Sequence, residues 1–277
     1  MKARGRRGPC DRAAGPPQHA PVFTVAPPER AVVIRYDLTG EVATVTLDRP
    51  EKRNALTLDG LAAFREVLDR GTEQARAVVL RGAGDAFCAG DDIASVAGLG
   101  GEVAPATLAT RLYDALFGPE RVEVPVVAAV DGPAYGGGFE LVAAADLAVA
   151  AEGSTFALPE ATVGAYPPYA VARVAETCGR KRLLELALTG EPVDAATAES
   201  WGLCNRVVAA DELDDAVAEL TEAACAAPAP AVALVKRYVH AAAADPDERA
   251  RLIEGFFAVA DEPDCLDAAE RFLSGGE

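Results

Sequence analysis

Val124-Pro125-Val126-Val127-Ala128-Ala129-Val130-Asp131-Gly132-Pro133-Ala134-Tyr135-Gly136-Gly137-Gly138-Phe139-Glu140 is the stretch that decides the fold. Its apolar run, Val124 to Val130, is bounded by turn residues and predicts a short buried strand. The glycine run then opens a helix through Leu141, Val142 and Ala145. Upstream, Ala77 to Leu80 is a second short buried strand, followed by Phe87-Cys88-Ala89-Gly90-Asp91-Asp92-Ile93. Val32-Val33-Ile34 and Val42 to Leu47, with Gly40 between, predict a β-hairpin. Leu58, Leu61, Ala62, Phe64, Arg65 and Leu68 have helical spacing, with Thr57 as N-cap. Strands alternating with helices define an α/β chain. No fixed-period repeat is present, and periodicity does not separate a doubly wound sheet from a ββα spiral.

Beyond Arg180 the pattern is almost wholly helical. Leu183, Leu184, Leu186 and Ala187 mark one helix, and Ala195 to Trp201 a second. Cys204 to Val208 is a short strand. Helices are then predicted near Glu212–Ala227, Ala229–Ala243, Asp247–Val259 and Cys265–Leu273.

The 277 residues, 51% of them hydrophobic, suffice for one large core or for a core with a small helical appendage. Residues 1–30 differ in kind: six basic residues stand against two acidic ones, with Pro-Pro pairs at 16–17 and 27–28 and no apolar h-region. This segment is expected to be a disordered extension or a misassigned start, with a basic binding arm as the alternative. The whole chain carries −17, so residues 31–277 carry −21 once the +4 of the first thirty is removed. Lysines number four: Lys2, Lys52, Lys181 and Lys236. Such a surface suits a salt-rich cytoplasm, where screening tempers self-repulsion, and argues against nucleic acid as the main partner. The alternative to a halophilic origin is a merely acidic protein. No stretch of eighteen apolar residues lacks charges, so no membrane span is expected. Six cysteines without a CxxC pair read as reduced cytosolic thiols. His19 and His240 lie far apart, so neither a metal site nor a Ser-His-Asp triad is expected.

The chemistry centres on Glu140, which closes the glycine run, and Glu160, which closes Phe156-Ala157-Leu158-Pro159-Glu160. Two carboxyls can handle a proton and a water while backbone N–H groups hold an enolate oxygen. Adding water across an activated C=C bond requires those parts. Taken singly, each has a plainer reading: the glycines as a tight turn, Glu140 as a surface carboxylate at a helix start, Glu160 as a loop residue.

Together with Pro50-Glu51-Lys52-Arg53-Asn54-Ala55-Leu56, the Ala89-Gly90-Asp91-Asp92-Ile93 segment and Leu188-Thr189-Gly190-Glu191, these segments resemble the enoyl-CoA hydratase/isomerase (crotonase) superfamily from about Val32 to about Phe272. The resemblance implies a ββα spiral core over residues 31–205 and a C-terminal helical cap over 206–277 that covers the site and joins subunits into a trimer or dimer of trimers. It implies an acyl-CoA thioester substrate and no separate cofactor. Glu140 and Glu160 correspond to the two hydratase acids, of which the isomerases usually keep only the second. The N–H groups of Asp91 and Gly137 correspond to the oxyanion hole. Lys52, Ala55, Ala89, Asp92, Ile93, Ala94, Lys236 and Phe256 correspond to substrate- or CoA-binding positions. The reaction implied is hydration of a 2-enoyl-CoA, with enoyl-CoA isomerase, acyl-CoA hydrolase and a catalytically inactive CoA-binding or assembly protein as alternatives. One segment departs from the family. After Gly164 the chain reads Ala165-Tyr166-Pro167-Pro168-Tyr169 where the family has a glycine-rich turn. Two prolines predict a stiff, extended stretch. Tyr166 and Tyr169 are expected in the acyl pocket, with packing of the cap as the alternative.

Overall fold

A computed structural model of the chain describes residues 34–92, 105–243 and scattered single positions from 247 to 271. Strands β1 (Ile34–Thr39) and β2 (Val42–Leu47) form the expected antiparallel hairpin, running from Ile34 opposite Leu47 to Thr39 opposite Val42. Helix α1 (Leu58–Gln74) follows. The Thr57 hydroxyl accepts from Gly60 N at 3.0 Å, a cap worth about 1 kcal/mol, and Leu61, Phe64 and Leu68 are buried. Strand β3 (Ala77–Gly82) then pairs parallel with β2.

Helices α2 (Pro105–Leu116) and α3 (Gly118–Arg121) lead to β4 (Val126–Val130), parallel to β3. Strand β5 (Pro133–Tyr135) and helix α4 (Gly137–Ala144) follow. Then come β6 (Leu147–Ala151), parallel to β4, and β7 (Thr155–Ala157). Helices α5 (Pro168–Cys178) and α6 (Arg180–Thr189) precede β8 (Val193–Asp194), α7 (Ala195–Ser200) and β9 (Arg206–Val208). Helices α8 (Leu213–Ala226) and α9 (Ala229–Ala243) end the continuously described part.

The large sheet has the order β1-β2-β3-β4-β6-β9. Its central strands are apolar along their length because both faces are covered. Val78, Leu80, Val126, Ala128, Val130, Ala148 and Ala150 point into the main core. Alternate residues Val79, Val127, Ala129, Val149 and Ala151 pack with Leu213 and Val217 of α8.

The second layer is built from much shorter pieces: β5 pairs parallel with β7, and β7 antiparallel with β8. Single bridges from Cys88 to Ala134 and from Leu56 to Asp91 extend it. Each circuit thus gives one strand to the large sheet and one short segment to the small layer before its helix, which is the ββα spiral. The short pieces escape sequence reading because three residues contain no period to detect.

One local expectation is corrected. The Tyr166–Tyr169 stretch is not extended throughout. Pro167 is extended (φ −84°, ψ 102°), but Pro168 is already the first residue of α5. Proline is well suited to that position, where its missing N–H would have no partner in the helix. The predicted helices near Asp247–Val259 and Cys265–Leu273, and residues 1–30, lie outside the described residues apart from scattered positions.

Candidate functional site

The small layer brings three segments side by side, because each follows one of its adjacent pieces: Ala89–Asp92, Gly136–Glu140 and Pro159–Glu160. Asn54 supports the first from beneath. Fully buried, it accepts from Arg49 N at 2.9 Å and donates to Ala83 O and Ala86 O at 2.8 and 2.7 Å. Leu56 N donates to Gly90 O and Asp92 N to Leu56 O, both at 2.8 Å. Two glycines are dictated by crowding. Gly90 (φ +98°) brings its backbone against the glycine run, where a Cβ would stand 3.0 Å from Tyr135 O and 3.4 Å from Gly137 N. At Gly138 a Cβ would fall 2.3 Å from Cys88 O, so no side chain fits. Neither Asp91 N nor Gly137 N is bonded to a backbone carbonyl among the described residues.

Three carboxyls meet here. Glu140, in the first turn of α4, is 1% exposed. Its Oε1 accepts from Tyr169 N at 2.7 Å and Ala170 N at 2.8 Å. Pro167 and Pro168 have no N–H, so these are the first two amides that α5 can offer, at the positive end of its dipole. Glu160 opens a short 3-10 turn, and both its carboxyl oxygens are buried with no hydrogen-bond partner among the described residues. Asp91 Oδ1 is likewise buried, with no hydrogen-bond partner among the described residues. Burial pushes the Glu140 carboxyl well above the usual range, and the charge of Glu160 adds to this; the two amides pull back. Burial raises Glu160 to about 8, with Asp91's charge adding to it, and raises Asp91 to about 7. Unsatisfied buried carboxyls are costly and are concentrated where chemistry needs them. Among the described residues no three His, Cys, Asp or Glu side chains are grouped to hold a metal ion.

The other positions singled out from sequence fall into separate places. Ala89 N donates to Arg53 O at 2.9 Å, on the same layer edge. The Asp92 carboxylate turns from the three carboxyls to Arg49, whose Nη1 lies 3.0 Å away and also donates to Ala55 O at 2.8 Å. Lys52 is exposed on the 3-10 turn Pro50–Lys52, and Ala55 is half-buried beside it. Tyr166 is half-buried, and burial with the charge of Glu140 pushes its phenol up. Its hydroxyl would be 2.7 Å from a Cβ at Gly255. Ile93, Ala94 and Phe256 lie outside the described residues.

Two positions are corrected. Tyr169 packs its ring into the core rather than lining an open pocket. It is 3% exposed, meets Phe117 edge-on at 4.9 Å, and aims its hydroxyl at Glu120 Oε2 and Ala143 O, each 3.4 Å away. Residue 169 lies on the core-facing side of α5, so its ring packs and only its amide serves Glu140. Lys236 does not present its ammonium to a nucleotide. It is buried, 2.6 Å from Asp146 Oδ2, and donates to Val124 O and Pro119 O at 2.7 and 3.1 Å. Those three partners use its three N–H donors. Sequence reading also missed the buried Glu120–Arg173 pair, at 3.2 Å, which His240 joins to Asp146. Its one signal was Arg173 at a core-facing spacing on α5.

A family model described as enoyl-CoA hydratase/isomerase matches residues 37–259. The mevalonyl-coenzyme A hydratase of Aspergillus fumigatus is 36% identical over 193 residues, 67% of this chain and 69% of that protein. The carnitinyl-CoA dehydratase of Proteus mirabilis is 35% identical over 206 residues, 73% of this chain and 78% of that protein. Among solved structures, an enoyl-CoA hydratase/isomerase from Xanthobacter autotrophicus Py2 superposes with a TM-score of 0.79 at 29% identity, covering 88% of this chain and 94% of its own. With the family model spanning most of the chain and the ββα spiral matched in solved structures, the chain belongs to the enoyl-CoA hydratase/isomerase family.

Proposed function

We propose that the chain is an enoyl-CoA hydratase, adding water reversibly across the 2,3 double bond of an enoyl-CoA thioester. The observation that carries this reading is the pair of buried, mutually interacting carboxyls, Glu140 and Glu160, beside Gly137 and Asp91. In hydration, water oxygen bonds to C3 and the π electrons move onto C2 and the thioester as an enolate. The water loses one proton, and C2 gains one. Glu140, fixed by two amides on one oxygen, orients the water with the other. Glu160, with both oxygens unpartnered, completes the proton traffic. The Asp91 and Gly137 N–H groups hold the thioester oxygen, typically worth a few kcal/mol per donor.

A double-bond isomerase needs only one carboxyl to carry a proton between carbons, so a second one beside it favours hydration. The named activities of the two curated relatives, a hydratase and a dehydratase, agree in reaction type. CoA itself runs past the edge formed by exposed Lys52 and half-buried Ala55. The test is loss of absorbance of a conjugated enoyl thioester on adding protein. Glu140→Gln and Glu160→Gln should each lower kcat by about 10²–10⁴, the usual worth of a positioned acid or base. Near-native turnover in either variant, with folding verified, would overturn the assignment.

A further inference from the structure

We propose that the side-chain carboxyl of Asp91, in its neutral form, is a third donor to the thioester oxygen, alongside the Asp91 and Gly137 N–H groups. The proposal rests on the hydratase reading of the site and adds a side chain to it. Its ground is the direction Asp91 takes. Of two successive aspartates, Asp92 pairs with Arg49, while Asp91 Oδ1 is buried with no partner. That oxygen lies against the start of α4, 3.0 Å from where a Cβ on Gly137 would stand. Leu56 Cδ1 lies 3.5 Å from the same point and supplies an apolar wall. The charged groups felt in this cluster, Glu140 and Glu160, have the same sign as an ionised Asp91.

A carboxylate in that position would oppose the negative charge that develops on the thioester oxygen. A neutral carboxyl has one O–H to give, and the described residues offer Oδ1 no partner. The acceptor we assign to it is an oxygen held by the Gly137 and Asp91 amides, since Oδ1 lies against the start of α4. Burial raises the Asp91 carboxyl to about 7. The neutral form dominates below that value, so this donor is lost as pH rises through it.

The test uses the full chain with the CoA thioester of 4-dimethylaminocinnamic acid, whose absorption band moves to the red when its carbonyl accepts hydrogen bonds. Difference spectra are taken from about pH 6 to about pH 9, spanning the titration of a raised carboxyl. The wild type should show a red shift that shrinks with rising pH. Asp91→Asn, whose amide still donates, should show a shift that no longer depends on pH. Asp91→Ala should show a smaller, pH-independent shift, with kcat for a hydratable enoyl thioester lowered tenfold or more, the scale of one lost oxyanion donor. Equal shifts in the wild type and Asp91→Ala would overturn the proposal. So would a pH dependence that survives in Asp91→Asn, since it would then belong to the glutamates. If Asp91→Asn instead moves the alkaline fall of kcat to lower pH, Asp91 acts as an anion that keeps Glu160 protonated, and the donor role is wrong. The two readings fail separately. A red-shifted band without hydration sinks the hydratase assignment alone, and a bound ligand with an unshifted band sinks the donor whatever the hydration assay shows.

Discussion

Glu160 holds a carboxyl group that folding takes from an ordinary value of 4.5 to about 8, chiefly by burial. The sign of the linkage follows. The fold binds the proton more tightly than the unfolded chain does, so stability is full below pH 4.5 and declines as pH rises through 8. Glu160→Gln removes the ionisation while keeping the shape. Its melting temperature should match the wild type near pH 5 and exceed it by a few °C near pH 9, measured by thermal unfolding across that range. A difference of constant size at every pH would show that burial of the charge is not the cause. This is the stability cost expected of a site whose groups are held for chemistry rather than for the fold. Glu140 and Glu160 stand out in the sequence as candidates because each closes a segment whose neighbours are also constrained. The carboxyl of Asp91 was not, since a motif places a residue in the chain without saying where its side chain turns. The same limit misled the reading of Lys236: one of four lysines looks functional until its burial against Asp146 is known.

Helix α5 shows what an element adds to its residues. The Pro167-Pro168 pair ends one segment and starts the helix, and the next two amides become the clamp on Glu140. The two tyrosines on either side therefore have different roles. Tyr169 is a core residue with its ring against Phe117. Its truncation to Ala should destabilise the fold by about 3–5 kcal/mol, as for other large buried aromatics. Tyr166 is half-buried and lies within range of the charge of Glu140. Tyr166→Ala should change the ratio of kcat/KM for crotonyl-CoA against a cyclic dienoyl-CoA by tenfold or more, about 1.4 kcal/mol. Tyr169→Phe should leave that ratio unchanged. A ratio untouched by Tyr166→Ala in a folded protein would make the segment scaffold. Long helices were legible at this scale: α1, α8 and α9 match their periodic patterns closely. Strands β5, β7 and β8 were not, because pairing with neighbours from distant circuits sets them. Those short strands are what bring the three segments together, so the segments could be picked out as candidates from sequence while their adjacency could not be derived.

For the whole molecule the open term is association, and two quantities oppose each other. Helix α9 exposes Val235, Tyr238 and Val239 at 65, 71 and 64%, with Leu234 beside them, and α6 exposes Leu188 at 69%. Large apolar side chains gathered on one helix face gain by being covered, at roughly 25 cal/mol per Å² removed from water. Against this stands the −21 carried by residues 31–277 of each copy. That repulsion acts over a Debye length, which falls from about 30 Å at 0.01 M salt to about 8 Å at 0.15 M. The apolar term is short-ranged and nearly indifferent to such salt, so the balance should tip toward association as salt rises. We propose that the chain assembles as a trimer or a dimer of trimers through faces that include α9. Light scattering should give a multiple of three copies at 0.15 M salt and above, and a smaller mass at 0.01 M. Val235→Asp combined with Val239→Asp adds charge to the exposed face without touching Glu140, Glu160 or Asp91, and should lower the mass at every salt concentration. A monomer mass for the unmodified chain even at high salt would sink the proposal. An unchanged multiple in the doubly substituted chain would move the contact away from α9.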